Sequence, residues 1–382
     1  MAANMISVES VITHAQLRSF IMFPFKLYRP YPNWVPPLIA DRFKHFDPAR
    51  NPFYEYATVQ LYLAKRAGKI VGTIAAIDNP KHEQIWQENI GFWGEFEVIN
   101  DYEVAAALFG AARSWLAGRS RPVMRGPMNM NINEEVGLLI EGHDGPPVLM
   151  MTYNPPYYQD LIERFGFTKA KDVNAYKLNL GALGTNLENL PKQIAGAAAI
   201  AESRYHIKMR HISKEHLDEE VELVKPIYRE AWAKNWGALP MSDAEFAGLV
   251  DNLKAICDFD LTYLAFIDDK PIGVFIALPD FCQVALHLGG RLLPFGWINY
   301  LRYKRKICGA RVMIMGVLAE HRVKGVESLF YREGFQMAAK KGIKWAEFSW
   351  ILEDNYFVMR GIERLGGRIY RRYRIYDLPT GE

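Results

Sequence analysis

The chain has 382 residues, of which 50% are apolar and 23% are charged, the balance of a folded protein with enough length for two cores. Its net charge of +3 gives no general argument for nucleic-acid binding. The cysteines (Cys257, Cys282 and Cys308) are too few and too scattered for a disulfide framework or a zinc site, so we expect no metal. No signal-peptide pattern or membrane-spanning apolar run is evident, so we expect a cytoplasmic protein.

A β-hairpin pattern occurs twice along the chain. Within Val59–Ile77, two apolar runs flank a polar turn, and this pattern predicts two antiparallel strands. The segment Leu261–Leu278 repeats it. Gly72 and Gly273 occupy the same place in the two copies, about 200 residues apart.

The ends of the two halves match at nearly the same offset. Asn154 corresponds to Asn355, and Ile162–Phe167 (IERFGF) corresponds to Ile362–Gly367 (IERLGG). Each of these segments reads as a helix ended by glycine, followed by a strand that carries tyrosines. Three matches in the same order favour a tandem duplication. The alternative is two unrelated α/β domains with similar turns.

Strands and helices alternate within each half, which predicts a central mixed β-sheet flanked by helices. We expect an N-terminal domain at residues 1–180 and a C-terminal domain at residues 209–382. The connector, residues 181–208, is rich in Gly, Ala and Asn and is expected to be partly helical.

Four elements of the second half can be placed from their patterns. Leu217–Trp232 has a helical pattern, and Arg311–Leu318 reads as a buried strand. A helix is predicted from about Lys324 to Lys341, with one apolar face, and Lys344–Trp350 alternates as the next strand.

The segment between that buried strand and that helix has the features of a phosphate site. The strand ends at Leu318, a short loop carries Arg322 and Lys324, and Gly325 allows close approach of the backbone as the helix begins. Free N–H groups and the dipole at a helix start bind phosphate well. An R-x-x-G motif alone is weak evidence for a phosphate site. Its position between a strand and a helix strengthens that evidence.

This order resembles the GNAT superfamily of acyl-CoA transferases. The resemblance rests on Arg322, Gly325, Asn355 and Leu365-Gly366-Gly367, and it covers about 170 residues. It implies that backbone N–H groups of the loop hold the CoA pyrophosphate and that the preceding strand pairs with the pantetheine arm. The cofactor-binding residues implied are Gly316, Val317, Leu318, Arg322, Val323, Lys324, Gly325, Val326 and Asn355.

Two features limit this resemblance. Glu327 stands where the family has a small residue, near the expected phosphates, so the donor could be acyl-CoA or the phosphopantetheine of an acyl-carrier protein. The corresponding turn of the first half, Asn100–Glu103, is acidic and has no Arg or Gly for phosphate. It reads as an ordinary helix N-cap, so we expect no CoA in the first domain.

Neither a Ser-His-Asp set nor a nucleophilic cysteine signature is evident, so direct attack of an amine on the thioester is favoured. Glu347 lies mid-strand and is either the general base or a structural anchor. Glu353 is a second catalytic candidate or a helix-start residue. By resemblance, Tyr356 would protonate the leaving thiolate, and the alternative is a tyrosine of the core or rim.

Residues 291–311 are basic and apolar together, with six cations, no acid and several aromatic side chains. Such a segment is typical of peripheral contact with an anionic membrane, or of a site entrance that admits a lipid or an acidic carrier protein. The alternative is an ordinary helix with a basic solvated face.

The whole chain also resembles a bacterial group that includes GNAT-type ceramide synthases, through Asn51–Glu55 (NPFYE), Arg125–Asn129 (RGPMN) and Glu347–Asn355. This implies N-acylation of a long-chain, sphingoid-type base. The alternatives are an N-acetyltransferase for a small polar amine or a protein lysine, and a catalytically inactive GNAT shell that binds a ligand.

Overall fold

The computed structural model describes residues 5–184 and 186–381, which form strands and helices in alternation. The strands are β1 (Ile6–Ser10), β2 (Thr58–Arg66), β3 (Lys69–Asp78), β4 (Ile90–Val98), β5 (Val123–Gly126), β6 (Leu138–Glu141), β7 (Thr168–Asn179), β8 (Lys208–His211), β9 (Thr262–Ile267), β10 (Lys270–Pro279), β11 (Gly309–Val317), β12 (Trp345–Leu352) and β13 (Arg368–Pro379). The α-helices are α1 (His14–Leu27), α2 (Ile39–His45), α3 (Pro80–Trp86), α4 (Tyr102–Ala117), α5 (Tyr158–Phe165), α6 (Lys192–Ser203), α7 (Leu217–Trp232), α8 (Asp243–Lys254), α9 (Cys282–Ala285), α10 (Gly296–Lys304), α11 (Val326–Lys340) and α12 (Tyr356–Arg364).

The chain folds into two compact units that are each discontinuous in sequence. Unit 1 comprises the residues up to 173, residues 282–303 and the residues from 371 onward, and unit 2 comprises residues 174–281 and 304–370. The chain passes from unit 1 to unit 2 inside β7 and from unit 2 back to unit 1 inside β13, and residues 282–303 also belong to unit 1. The sequence repeat predicts domain boundaries at residues 180 and 208. These boundaries stay a prediction.

The sheet of unit 1 has the strand order β1-β2-β3-β4-β5-β13, and β6 also pairs with β13. The pairs β1–β2, β2–β3 and β3–β4 are antiparallel, whereas the pair β4–β5 is parallel. Helix α4 buries an apolar face on this sheet, because Val104, Leu108 and Ala112 recur at helical spacing.

Unit 2 repeats this plan, with the strand order β8-β9-β10-β11-β12-β7 and a parallel β11–β12 pair. Helix α11 buries Val326, Leu329, Phe330 and Ala338, as the sequence pattern predicts. The shared order of elements confirms the prediction that the two halves have one topology. The predicted mixed α/β fold is confirmed as well.

Helix α7 has the predicted bounds, and both predicted hairpins form with turns at residues with positive φ. Helix α8 was not predicted, although Ser242 and Glu245 form a capping box at its start. Among the described residues, no helix is both long and apolar enough to cross a membrane.

Candidate active site

The parallel strands β11 and β12 separate partway along their length. Their ladder pairs Gly309–Val312 with Trp345–Phe348 and goes no further in the described residues. The pairing of β11 with β10 continues to Val317 and skips Met313, which forms a β-bulge. Beyond Val312, the β12-facing edge of β11 is therefore available to pair with an extended ligand.

Glu347 lies at the base of this gap. Its side chain is fully buried and accepts hydrogen bonds from Ser349 Oγ at 2.9 Å and, at 3.5 Å, from the Tyr370 hydroxyl. Arg311 Nε lies 3.8 Å from the carboxylate, and Arg311 Nη2 donates to the Ser349 carbonyl at 3.0 Å. Glu347 is thus anchored, and its partner Ser349 lies one position beyond the last residue of β12 that pairs with β11.

The N-terminus of α11 has no side-chain cap in the described part of the chain. A 3₁₀-helix of six residues, Ala319–Lys324, leads to it, and Gly325 joins the two helices with φ of 82°. Arg322 is exposed and its Nε donates to the Val317 carbonyl at 3.2 Å, while Lys324 Nζ lies 2.9 Å from His321 Nδ1. The helix start is therefore an uncapped positive dipole end flanked by cations.

Two glycines predicted to face the cofactor also have packing roles. A Cβ on Gly325 would lie 2.5 Å from the Ala197 carbonyl oxygen of α6. A Cβ on Gly316 would lie 2.6 Å from the Trp232 ring of α7. Close packing within unit 2 is therefore sufficient to explain why glycine occupies both positions.

Glu327 lies in the first turn of α11, and burial raises its pKa to about 6. The nearby Arg322 guanidinium opposes this shift. The carboxyl therefore changes between its neutral and its charged form around pH 6, beside the helix start.

The remaining predicted site residues lie at the start of α12. Asn355 is the N-cap, and its side-chain oxygen accepts from the Val358 N–H. Tyr356 is 63% exposed, and Glu353 is partly buried. Tyr356 is therefore a surface residue and not part of the core, and its role in the site stays a prediction.

In unit 1 the corresponding gap between β4 and β5 is filled. The Met128 N–H donates to the Trp93 carbonyl at 2.8 Å, and the Asn129 side chain accepts from the Glu95 N–H at 2.9 Å. A Cβ on Gly94 would lie 1.9 Å from the Met128 carbonyl oxygen. The loop after β5 therefore occupies the strand edge that is open in unit 2.

The helix start in unit 1 is also closed. The Asp101 carboxylate accepts from the N–H groups of Glu103 and Val104, and it pairs with Arg66 at 2.6 Å. This confirms the predicted N-cap, and it leaves an acidic group where phosphate would sit.

Unit 1 holds a carboxylate cluster that the sequence patterns did not reveal as a group. Glu95 accepts a hydrogen bond from Arg42 of α2, and His45 lies between Glu95 and Glu134 at 3.3 and 3.4 Å. Burial raises the pKa of Glu97 to about 8, and the Tyr158 hydroxyl, which donates to it at 2.7 Å, opposes the shift. The members of this cluster come from distant segments of the chain, so local sequence patterns do not bring them together.

The basic segment is divided by the fold. Leu293 and Phe295 are 75% and 73% exposed, and α10 carries the half-exposed Trp297 and Leu301. Arg311, by contrast, is buried in β11 beside Glu347. The prediction that the surface segment extends to Arg311 is therefore wrong at that residue.

Solved structures share this fold. A tandem GNAT protein from the clavulanic acid biosynthesis pathway matches with a TM-score of 0.59 and 11% identity over 99% of both chains. A GCN5-related N-acetyltransferase from Sphaerobacter thermophilus matches with a TM-score of 0.52 and 11% identity, over 99% of this chain and 96% of its own.

Sequence relatives are much closer, although no protein-family model matches the chain. Protein YghO of Escherichia coli is 36% identical, over 98% of this chain and 96% of its own. The bacterial ceramide synthase of Caulobacter vibrioides is 35% identical, over 97% of both. The chain has the GNAT fold and belongs to the family that includes these two relatives. The fold and the family together identify the chain as an acyltransferase. Within the residues that the structure describes, no group of His, Cys, Asp and Glu side chains is arranged to hold a metal ion.

Proposed function

We propose that this GNAT protein transfers an acyl group from acyl-CoA to the amine of a long-chain, sphingoid-type base, and that unit 2 holds the donor. The observation that carries the donor assignment is the contrast between the two units. Unit 2 has an open edge of β11 and an uncapped α11, whereas the loop after β5 and the Asp101 cap close both features in unit 1.

The cofactor residues expected from the sequence fit this role. The N–H groups from Arg322 to Val326 would hold the pyrophosphate, and Gly316–Leu318 would pair with the pantetheine arm along the free edge of β11. Arg322 and Lys324 would supply positive charge. A phosphopantetheine thioester on a carrier protein would use the same strand edge.

The transfer itself requires two proton movements. The amine nitrogen attacks the thioester carbonyl carbon, an N–C bond forms and the C–S bond breaks. We propose that the proton lost by the amine passes through the Ser349 hydroxyl to Glu347, since these groups are hydrogen-bonded at 2.9 Å. Tyr356 or Glu353 at the α12 start would return a proton to the leaving thiolate.

The lipid acceptor is supported by two independent features. The Caulobacter relative is named a ceramide synthase. Exposed Leu293 and Phe295 precede α10, which carries basic residues at its end, and this combination suits a membrane interface where a long-chain amine resides.

The test is a transfer assay with purified protein, palmitoyl-CoA and sphinganine, in which thiol release and the N-acyl product are both measured. We expect equal amounts of the two, and no product with Glu347→Gln at neutral pH. Glu219→Gln, an exposed acid of unit 2, serves as the matched control. Product from a small polar amine or a lysine peptide alone would overturn the acceptor assignment. If no amine tested causes thiol release, the proposed function is overturned.

A further inference from the structure

Arg311 and Glu347 form a buried pair of opposite charges across the parallel strands β11 and β12. The two residues are partners in the ladder, so their side chains lie next to each other on one face of the sheet. Arg311 is 5% exposed and Glu347 is fully buried, and Arg311 Nε lies 3.8 Å from Glu347 Oε2. A charged pair in this place requires an explanation, because charged side chains are seldom buried.

Stability alone does not explain the two charges. Moving both charges from water into a core carries a large penalty, which their attraction often fails to offset. Apolar residues of similar volume are often as stable in such a place, or more stable. The ladder residues on either side of the pair are apolar members of the core: Ala310, Val312, Ala346 and Phe348. A role in chemistry therefore explains the charges better than a role in stability.

Arg311 also bridges the point at which the two strands separate. The ladder ends at Val312 and Phe348, and Arg311 Nη2 donates to the carbonyl oxygen of Ser349, one position further along β12, at 3.0 Å. The Ser349 hydroxyl donates to Glu347 Oε2 at 2.9 Å. One guanidinium thus lies beside the carboxylate and also holds the backbone of the residue whose hydroxyl bonds to that carboxylate.

The other polar groups near this pair come from three neighbouring strands. The Tyr370 hydroxyl of β13 donates to Glu347 Oε1 at 3.5 Å. Lys177 of β7 lies over the rings of Trp345 and Tyr370, with its Nζ 4.4 and 5.7 Å from their centroids. The buried Asp280 follows β10, on the other side of β11, and its N–H donates to the Gly309 carbonyl at 2.9 Å. The lysine is thus directed at aromatic rings, whereas the guanidinium is directed at the carboxylate.

We propose that Arg311 is a positioning residue that keeps Glu347 ionised and in place as the acceptor of the amine proton. Burial favours the neutral form of a carboxyl, which cannot accept a proton, and a cation within about 4–6 Å favours the ionised form. The inference rests on the proposed function, because it takes Glu347 to be the group that receives this proton.

Infrared spectroscopy of the full chain, without substrates, tests the charge of Glu347 directly. A protonated carboxyl and a carboxylate absorb at different frequencies, and a protonated-carboxyl signal that disappears in Glu347→Gln belongs to this residue. At pH 7 we expect no such signal from the parent chain. We expect one from Arg311→Met, and it should be absent from the double variant Arg311→Met/Glu347→Gln. Arg332→Met, which removes an arginine paired with Glu202 at 2.6 Å, is the matched control and should give the parent spectrum.

The pH dependence of acyl transfer from palmitoyl-CoA to sphinganine separates the effect of charge from damage to the structure. In Arg311→Met the pH below which kcat/KM falls should rise by about 1–3 units, so that activity lost at pH 7 returns at higher pH. Structural damage would instead lower kcat/KM by the same factor at every pH. Arg311→Lys keeps a cation without the planar fork, so it should show a smaller shift in the same direction. Titration of the amine itself is common to all variants and cancels in the ratio to the parent.

The outcomes distinguish this inference from the proposed function. If Glu347 is ionised at pH 7 in Arg311→Met, or protonated in the parent, the inference is overturned whatever the transfer assay gives. If Arg311→Met does not fold, an unshifted pH dependence in Arg311→Lys overturns it. If the parent transfers no acyl group at any pH, the proposed function fails and the role of Arg311 in proton transfer fails with it, even where the infrared signals are as expected.

Discussion

Gly325 faces the carbonyl of Ala197 so closely that a Cβ on the glycine would lie 2.5 Å from that oxygen. Its φ of 82° is also one that side chains with a Cβ rarely adopt. The glycine that marks the phosphate loop in the sequence is thus equally required where α11 packs on α6. A loss of ligand binding on its substitution would not by itself identify a phosphate site.

We therefore predict that Gly325→Ala destabilises the protein by about 1–3 kcal/mol, through left-handed strain and a backbone clash. Urea denaturation measures this loss. Gly248→Ala is the matched control, since no atom lies within 4 Å of the added Cβ in α8. There alanine should be neutral or stabilise by up to about 1 kcal/mol. Equal stability of Gly325→Ala and the parent chain would contradict the packing role.

Arg322 gives a cleaner test of phosphate binding because it is exposed and its side chain bonds only to the Val317 carbonyl in the described chain. Arg322→Ala should weaken CoA binding by about 1.5–3 kcal/mol, or roughly 10- to 150-fold, as a charged hydrogen bond is lost. Calorimetry with CoA measures this, and Lys214→Ala, an exposed cation elsewhere in unit 2, should have no effect. Unchanged affinity in Arg322→Ala would remove the residue from the site.

Glu327 should make CoA binding depend on pH. Its pKa is raised to about 6 by burial, so it is neutral below pH 6 and negatively charged above it. A negative charge near the phosphates opposes binding, and Glu327→Gln should therefore bind CoA about three- to tenfold more tightly than the parent at pH 7.5 and equally at pH 5. Comparing the two proteins at each pH cancels the titration of CoA itself. A constant ratio of affinities across this range would refute the effect.

The exposed basic segment should bind anionic surfaces. Neutralising Arg302, Lys304, Arg305 and Lys306 removes four charges, each worth roughly 1 kcal/mol near an anionic bilayer. In liposome flotation at low salt we expect the parent chain to bind and this variant to stay in solution. A control variant neutralises four exposed lysines elsewhere: Lys69, Lys208, Lys214 and Lys270. If parent and variant float alike, another surface makes the contact.

Local sequence patterns predicted the helices and strands well, and they predicted poorly which strands pair with each other. The two hairpins and the buried face of α11 follow from apolar spacing, which depends only on neighbours in sequence. The crossing of the chain between units within β7 and β13 could not be predicted, because both strands carry similar residues. A strand pattern does not state which strand it will pair with.

The candidate site divides in the same way. The loop with Arg322 and Gly325 was predicted because strand, loop and helix are contiguous. The closure of the unit 1 gap by Met128 could not be predicted, since its hydrogen bond to Trp93 joins residues 35 positions apart in the sequence. Arg311 was wrongly predicted to lie on the surface, because it belongs to the basic segment 291–311. It is buried because a core strand includes it.

The most direct test of the donor assignment is hydrogen–deuterium exchange of the full chain with and without CoA. Our account predicts slower exchange in peptides that cover Met313–Ser328, where the strand edge and the helix start would become occupied. Peptides that cover Trp93–Val104 in unit 1 should be unchanged, because the Met128 loop and Asp101 already satisfy those N–H groups. Protection at Trp93–Val104 without protection at Met313–Ser328 would contradict the account.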